Sequence, residues 1–175
     1  MKSIYLIGFM GSGKTTVGKL LAEKLEKTFI DLDEEIVKYT KISIPQFFEQ
    51  YGEDEFRKVE LKLLKDLPIE NLIISTGGGI IVREENIQFM LDNGELFYLE
   101  TEIEEVYQRI HTDTNRPNAV NKTVDDLQRL FLSRKEFYEK AEYIIKTENK
   151  TPTEVSEEII GCLKIGKGGD SRDKS

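Results

Sequence analysis

The sequence predicts an α/β domain, with a parallel sheet, helices on both of its faces and a ligand cleft at the strand C-terminal ends. Three observations carry this. Short apolar runs alternate with amphipathic helical segments through most of the chain. The first run, "SIYLIG" at 3–8, leads into the glycine-rich "GFMGSGKTT" and then a helical pattern. With 175 residues and a single cysteine, Cys162, the chain suits one domain whose core needs no disulfide or Cys-cluster zinc site.

The elements follow in order. After the first strand, Val17, Leu20, Leu21 and Leu25 mark one stripe of a helix. "TFIDLD" (28–33) reads as a second strand ending in acids. Residues 34–66 read as helix in two or three pieces, broken around "TKISIP", where Pro45 suits a first helical turn, and near Gly52. "NLIIST" (71–76) is a third strand, 84–93 a helix closed by Asn93-Gly94, and "ELFYLE" (95–100) a fourth strand. Thr101 to Glu104 has the form of a capping box for a helix reaching about His111. Thr123 to Lys140 is helical, "EYIIKT" is a fifth strand, and Thr151-Pro152-Thr153-Glu154 caps a final helix.

The polar segment "HTDTNRPNAVNKT" between the fourth strand's helix and the next reads as a mobile loop, and "GKGGDSRDKS" (166–175) as a disordered tail. One domain over 1–165 is expected. The net charge of −8 is spread through interleaved acids and bases, which argues against nucleic acid or an anionic membrane as the main partner. The N-terminal apolar run is short, and nothing approaches a membrane span, so a cytoplasmic protein is expected. Cys162 lies in a helical apolar pattern, as an inert thiol would.

"GFMGSGKTT" (8–16) matches G-x-x-x-x-G-K-[ST] through Gly8, Gly13, Lys14 and Thr15. Its glycines let successive backbone N–H groups of Gly11, Ser12, Gly13 and the residues to Thr16 curl around phosphate oxygens, and the following helix adds its N-terminal partial positive charge. Lys14 would neutralise the β/γ-phosphates and Thr15 would ligate Mg²⁺. Nucleoside triphosphate binding follows. The loop alone leaves ATPase, GTPase, metabolite kinase and regulatory sensor open. A GTPase would normally carry an Asn/Thr-Lys-x-Asp motif, which the sequence lacks, and the small size does not suit a motor, so a small kinase is favoured.

Other residues supply candidates for the acceptor end. Asp31 and Asp33 stand two apart at the end of the second strand; one can hold a water of the Mg²⁺ shell while the other orients or deprotonates a hydroxyl. The plainer alternative makes Asp33 a helix N-cap and Asp31 a surface charge. Arg57 could clamp a carboxylate through its planar fork, or form a surface pair with Glu60 worth a few tenths of a kcal/mol. In "LIISTGGGII" (72–81) three consecutive glycines follow a strand, so something must approach that backbone closely.

The ordered set "LIGFMGSGKTTVGKLLA", "FIDLDEEI", "FFEQYGEDEFRKVE", "ISTGGGII", "NRP" and "RKEFYEKAEYII" resembles the shikimate kinases over essentially the whole chain. The resemblance implies a three-layer α/β/α P-loop kinase of the nucleoside-monophosphate-kinase type, with a five-stranded parallel sheet of order 2-3-1-4-5. It implies a helical substrate-binding subdomain at about 33–60 and a mobile lid at about 111–123. The implied activity is ATP- and Mg²⁺-dependent phosphorylation of the 3-hydroxyl of shikimate, on the route to chorismate and aromatic amino acids. A monomer is expected. Asp33 matches the carboxylate that binds shikimate hydroxyls and serves as base, and Asp31 the one near Mg²⁺. Arg57 and Arg134 match the arginines on the shikimate carboxylate, and Gly77, Gly78 and Gly79 the glycines beneath the ring. Arg116 matches the lid arginine that reaches ATP phosphates, and Arg109 and Pro152 the adenine side.

Two positions depart from the family pattern. The lid reads "RPNAVNK", more polar than the usual leucines, and Lys41 stands where glycine is common. His111, the only histidine, adjoins the lid and has no expected catalytic part, since the reaction already has a candidate base. A kinase for another small polyol acid such as gluconate, a silent nucleotide-binding module, and an interaction surface on the acidic face are the alternatives.

Overall fold

Tyr5 and Ile7 of the first strand point to one side of the sheet and Ile4 and Leu6 to the other, all at most 1% exposed. Burial on both faces is what a central parallel strand requires. The computed structural model describes residues 1–112 and 123–168. The strands are β1 (Ser3–Ile7), β2 (Thr28–Asp31), β3 (Leu72–Ser75), β4 (Gly94–Glu100) and β5 (Tyr143–Lys146). They form one parallel sheet in the order β2-β3-β1-β4-β5. The helices are α1 (Lys14–Leu25), α2 (Leu32–Thr40), α3 (Ile44–Asp66), α4 (Glu84–Asn93), α5 (Ile103–Thr112), α6 (Val124–Tyr138) and α7 (Pro152–Gly168), with a 3₁₀ turn at Ile80–Val82.

The two faces build separate cores. Ile4 and Leu6 pack with Val17 and Leu21 of α1 and Val155, Ile159 and Leu163 of α7. Tyr5 and Ile7 join a larger cluster reaching Ile36, Phe56, Met90, Val106, Leu127 and Tyr138 on α2 to α6. β1 lies at the centre, between β3 and β4, so the segment following it opens into the crevice where strand order reverses.

Local chemistry sets the boundaries, sometimes against expectation. β2 stops at Asp31, two residues before its predicted end, because the Asp31 carboxylate accepts from the N–H groups of Asp33 and Glu34 and caps α2. α2 closes at Lys41, a non-glycine residue at φ 65°, where the left-handed backbone explains why glycine is the easier choice. Ser43 and Gln46 form a reciprocal capping box at the start of α3. Gly52, at φ 82° and ψ 174°, kinks that helix where a break was expected.

Gly94 does not close α4 through a left-handed turn. Its φ is −158°, and a Cβ there would meet the Tyr5 ring and come 2.6 Å from Ser3 O, so close packing against β1 is what requires glycine. Thr101 begins no capping box: α5 starts at Ile103, and Thr101 Oγ1 lies 2.7 Å from Thr147 Oγ1, linking the ends of β4 and β5. Thr151 and Glu154 do exchange capping bonds at α7, which continues to Gly168, into the segment assigned to the tail. Cys162 is half-buried against the α1/α7 core. Residues 113–122, most of the lid expected at about 111–123 and including Arg116, and residues 169–175 lie outside the described residues.

Candidate active site

A cleft of about 700 Å³ runs along the C-terminal ends of β1, β2 and β3 and brings most of the expected residues to one place. Gly11, Ser12, Gly13, Lys14, Thr15 and Thr16 line one part of it. Asp31, Asp33, Arg57, Arg134 and Gly77 to Gly79 line another, and Arg109 and Pro152 stand at the remaining end.

The loop after β1 has the geometry that its glycines predict. Gly11 and Gly13 hold φ 75° and 89°, and Ser12 N–H closes back on Phe9 O at 3.1 Å. Such left-handed steps turn consecutive N–H groups toward one concave side, and α1 adds its N-terminal field. Lys14 is buried, with Nζ 2.6 Å from Gly8 O and 3.2 Å from Phe9 O. Its ammonium is thereby fixed inside the curl of the loop.

The acids divide their work. Asp31 Oδ1 caps α2, whereas its Oδ2 accepts from Thr15 Oγ1 at 3.4 Å. Capping belongs to Asp31, contrary to the alternative that gave it to Asp33. Asp33 lies one step into the helix, and its Oδ1 is 2.8 Å from where a Cβ on Gly77 would stand. Thr15, Asp31 and the buried Ser75, paired in register with Asp31, offer oxygen donors beside the phosphate loop. That set fits a hard divalent cation that keeps several waters, and among the described residues no cluster of three acids, histidines or cysteines offers a protein-only cage.

At the acceptor end two cations converge. Arg57 and Glu60 are one turn apart on α3, Nη1 to Oε1 2.9 Å, with side chains 8% and 1% exposed. This is a buried pair, unlike the surface pair that the spacing alone suggested. Burial pushes the Glu60 carboxyl up to about 7 against the pull of Arg57, with Asp33 adding to the rise. Arg57 Nε and Glu60 Oε2 are buried without a hydrogen bond. Arg134 enters from α6, over the Phe9 ring at 6.0 Å. A Cβ on Gly79 would collide with Arg57 Nη2 and sit 3.1 Å from Arg134 Nη2.

None of the three residues of the glycine run has positive φ. Gly77 makes room for Asp33, Gly79 for both guanidiniums, and Gly78 approaches the phosphate loop, a Cβ there lying 3.4 Å from Met10 N. The protein's own polar side chains reach that backbone.

At the far end Arg109 Nη1 donates to Gly11 O at 2.8 Å and its Nη2 pairs with Glu105, so the guanidinium borders the loop. Thr147, Lys150 and Pro152 complete that wall. Sequence reasoning missed Lys150 and Thr147, and also Ile44, Phe48 and Phe56, which form an apolar wall beside Arg57. The aromatic positions flanking Gly52 were the available signal. His111 lies edge-on to Tyr107, centroids 3.9 Å apart, with Nε2 buried and unbonded.

A family model described as shikimate kinase matches residues 10–164. A shikimate kinase of Persephonella marina is 42% identical over 165 residues, covering 94% of this chain and all of that protein. One of Enterococcus faecalis is 44% identical over 167 residues, covering 94% and 99%. Among solved structures, shikimate kinase from Acinetobacter baumannii in complex with shikimate superposes with a TM-score of 0.86 at 36% identity, over 95% of each chain. A Sinorhizobium meliloti gluconokinase superposes at 0.60 and 17% identity, a likeness of fold alone.

Proposed function

Because the chain belongs to the shikimate kinase family, we propose that its cleft transfers the γ-phosphate of ATP to the 3-hydroxyl of shikimate. The observation that carries the assignment is the convergence of Arg57 and Arg134 on Gly79, beside Asp33 on Gly77. An anionic ring bearing several hydroxyls needs this combination: paired guanidiniums for its carboxylate and an acid for its hydroxyls. The A. baumannii relative was solved with shikimate bound, which supports the same acceptor here.

Each residue then has a role. Gly11 to Thr16 cradle the ATP phosphates through backbone N–H groups, and Lys14 neutralises the developing charge. Asp33 orients the acceptor hydroxyl and takes its proton. Arg57 and Arg134 hold the carboxylate, with Gly77 to Gly79 beneath the ring. Arg109 and Pro152 flank the adenine. Arg116, the remaining candidate for the phosphates, lies outside the described residues. Thr15 and Asp31 would hold Mg²⁺, which would supply positive charge against the phosphate oxygens. Catalysis is then mainly positioning and electrostatics.

The gluconate reading lacks support from any comparable residue set, and the gluconokinase likeness is one of fold. We also assign the chain to the cytoplasm as a monomer, with residues 33–60 as substrate subdomain and 111–123 as lid. The described acceptor groups lie within one cleft of one chain. The test is Asp33→Ala: turnover is lost while ATP affinity is retained, and the wild-type product shows a phosphorus–proton coupling at C3. Retained turnover in the variant, or phosphate on another carbon, contradicts the proposal.

A further inference from the structure

Tyr138, the last residue of α6, takes no part in the roles above. Its side chain is fully buried, and its ring stacks on Tyr98 of β4 with centroids 4.9 Å apart and planes 5° apart. Its Oη donates to Gly78 O at 2.6 Å. The guanidinium of Arg134, one turn earlier on the helix, stands close enough to act on the phenol, and the cation polarises the O–H toward the carbonyl.

The arrangement bears on the acceptor end of the cleft. Arg134 Nη1 lies 3.7 Å from where a Cβ on Gly78 would stand, and Nη2 lies 3.1 Å from the same point on Gly79. The hydroxyl and the cation therefore meet the same glycine turn, one at Gly78 and the other at Gly78 and Gly79. Arg side chains carry large rotamer freedom, so an untethered guanidinium would have to be ordered when the acceptor binds. The stacked Tyr98 fixes the ring and so fixes where the hydroxyl stands.

We infer that Tyr138 is a positioning residue for the acceptor: its hydroxyl holds Arg134 and the Gly77–Gly79 turn in the mutual register that receives the carboxylate of shikimate. The inference rests on the reading of Arg134 as a carboxylate clamp. A merely structural phenol would instead affect stability and leave substrate affinity untouched.

The experiment compares Tyr138→Phe, Arg134→Lys, their double variant and Tyr98→Phe in steady-state kinetics with both substrates varied. Tyr138→Phe raises the shikimate KM about tenfold, with the ATP KM and kcat within about twofold of wild type. Added to Arg134→Lys it has little further effect, because the tether has lost its fork. Tyr98→Phe, which keeps the stack, leaves the shikimate KM unchanged. If Arg134→Lys does not raise the shikimate KM, the clamp reading falls and the inference with it. If Arg134→Lys raises it and Tyr138→Phe does not, the inference alone is overturned. Should Tyr138→Phe not fold, the Cζ resonance of Tyr138 in ¹³C-tyrosine-labelled wild-type protein gives the same test. It moves on adding shikimate and not on adding ADP, and a resonance indifferent to shikimate overturns the inference.

Discussion

Arg57 Nη1 lies 2.9 Å from Glu60 Oε1, one turn along α3, in a pair whose side chains are 8% and 1% exposed. A pair this deep behaves differently from one in solvent: removing a partner leaves an uncompensated charge, which costs about 3–5 kcal/mol. Glu60 thus sets how much of the Arg57 charge is free for an incoming carboxylate.

The first prediction concerns pH. Burial raises the Glu60 carboxyl from 4.5 to about 7, so the native state binds a proton that the unfolded chain has already released. Its contribution to stability is full below about pH 4.5 and is lost as pH rises through about 7. The anionic acceptor, arriving beside Arg57, favours protonated Glu60, and its affinity should therefore rise as pH falls through the same window. Calorimetry in two buffers of different ionisation enthalpy should register proton uptake on shikimate binding near pH 7, and Glu60→Gln should abolish it. Uptake that persists in Glu60→Gln assigns the proton elsewhere.

The second prediction separates the two functions of Asp31. Asparagine caps helices as well as aspartate, so Asp31→Asn should keep the melting temperature while raising the Mg²⁺ concentration needed for half-maximal rate about tenfold. Asp31→Ala should lose about 1 kcal/mol of stability as well. An unchanged magnesium requirement in both variants would remove Asp31 from the metal site.

The third prediction concerns the glycine run. A methyl group on Gly79 meets Arg57 and Arg134, and one on Gly77 meets Asp33, whereas Gly52 has open space around it and needs glycine only for its φ of 82°. Gly79→Ala should raise the shikimate KM at least tenfold with little change in the ATP KM. Gly52→Ala should cost stability of about 1 kcal/mol with smaller kinetic effect. Equal effects of Gly79→Ala on both substrates would contradict the separation of the two ends of the cleft.

Much of this architecture was legible in the sequence because it is local. The phosphate loop is a fixed spacing, and strands such as Ser3–Ile7 are short runs buried on both faces. The strand order, and the site roles of Arg134, Arg116, Arg109 and Pro152, came from the resemblance. What the sequence did not disclose depends on how elements pack. The spacing of Arg57 and Glu60 placed them together, but their depth goes with Arg57 reaching the glycine turn, where Gly79 leaves room for it beside Arg134. The division between Asp31 and Asp33 turned on where β2 stops, which the capping carboxylate decides. Tyr138 read as one more apolar position of a helix, since a hydrogen bond to Gly78, sixty residues away, leaves no periodic trace.

The most direct measurement is ADP release by the purified protein, with ATP and Mg²⁺, in the presence of shikimate, gluconate or a nucleoside monophosphate. Shikimate alone should stimulate release strongly, and Arg57→Ala and Arg134→Ala should each weaken this by raising its KM by about two orders of magnitude. Release unaffected by shikimate, or stimulated equally by gluconate, would contradict the proposed activity.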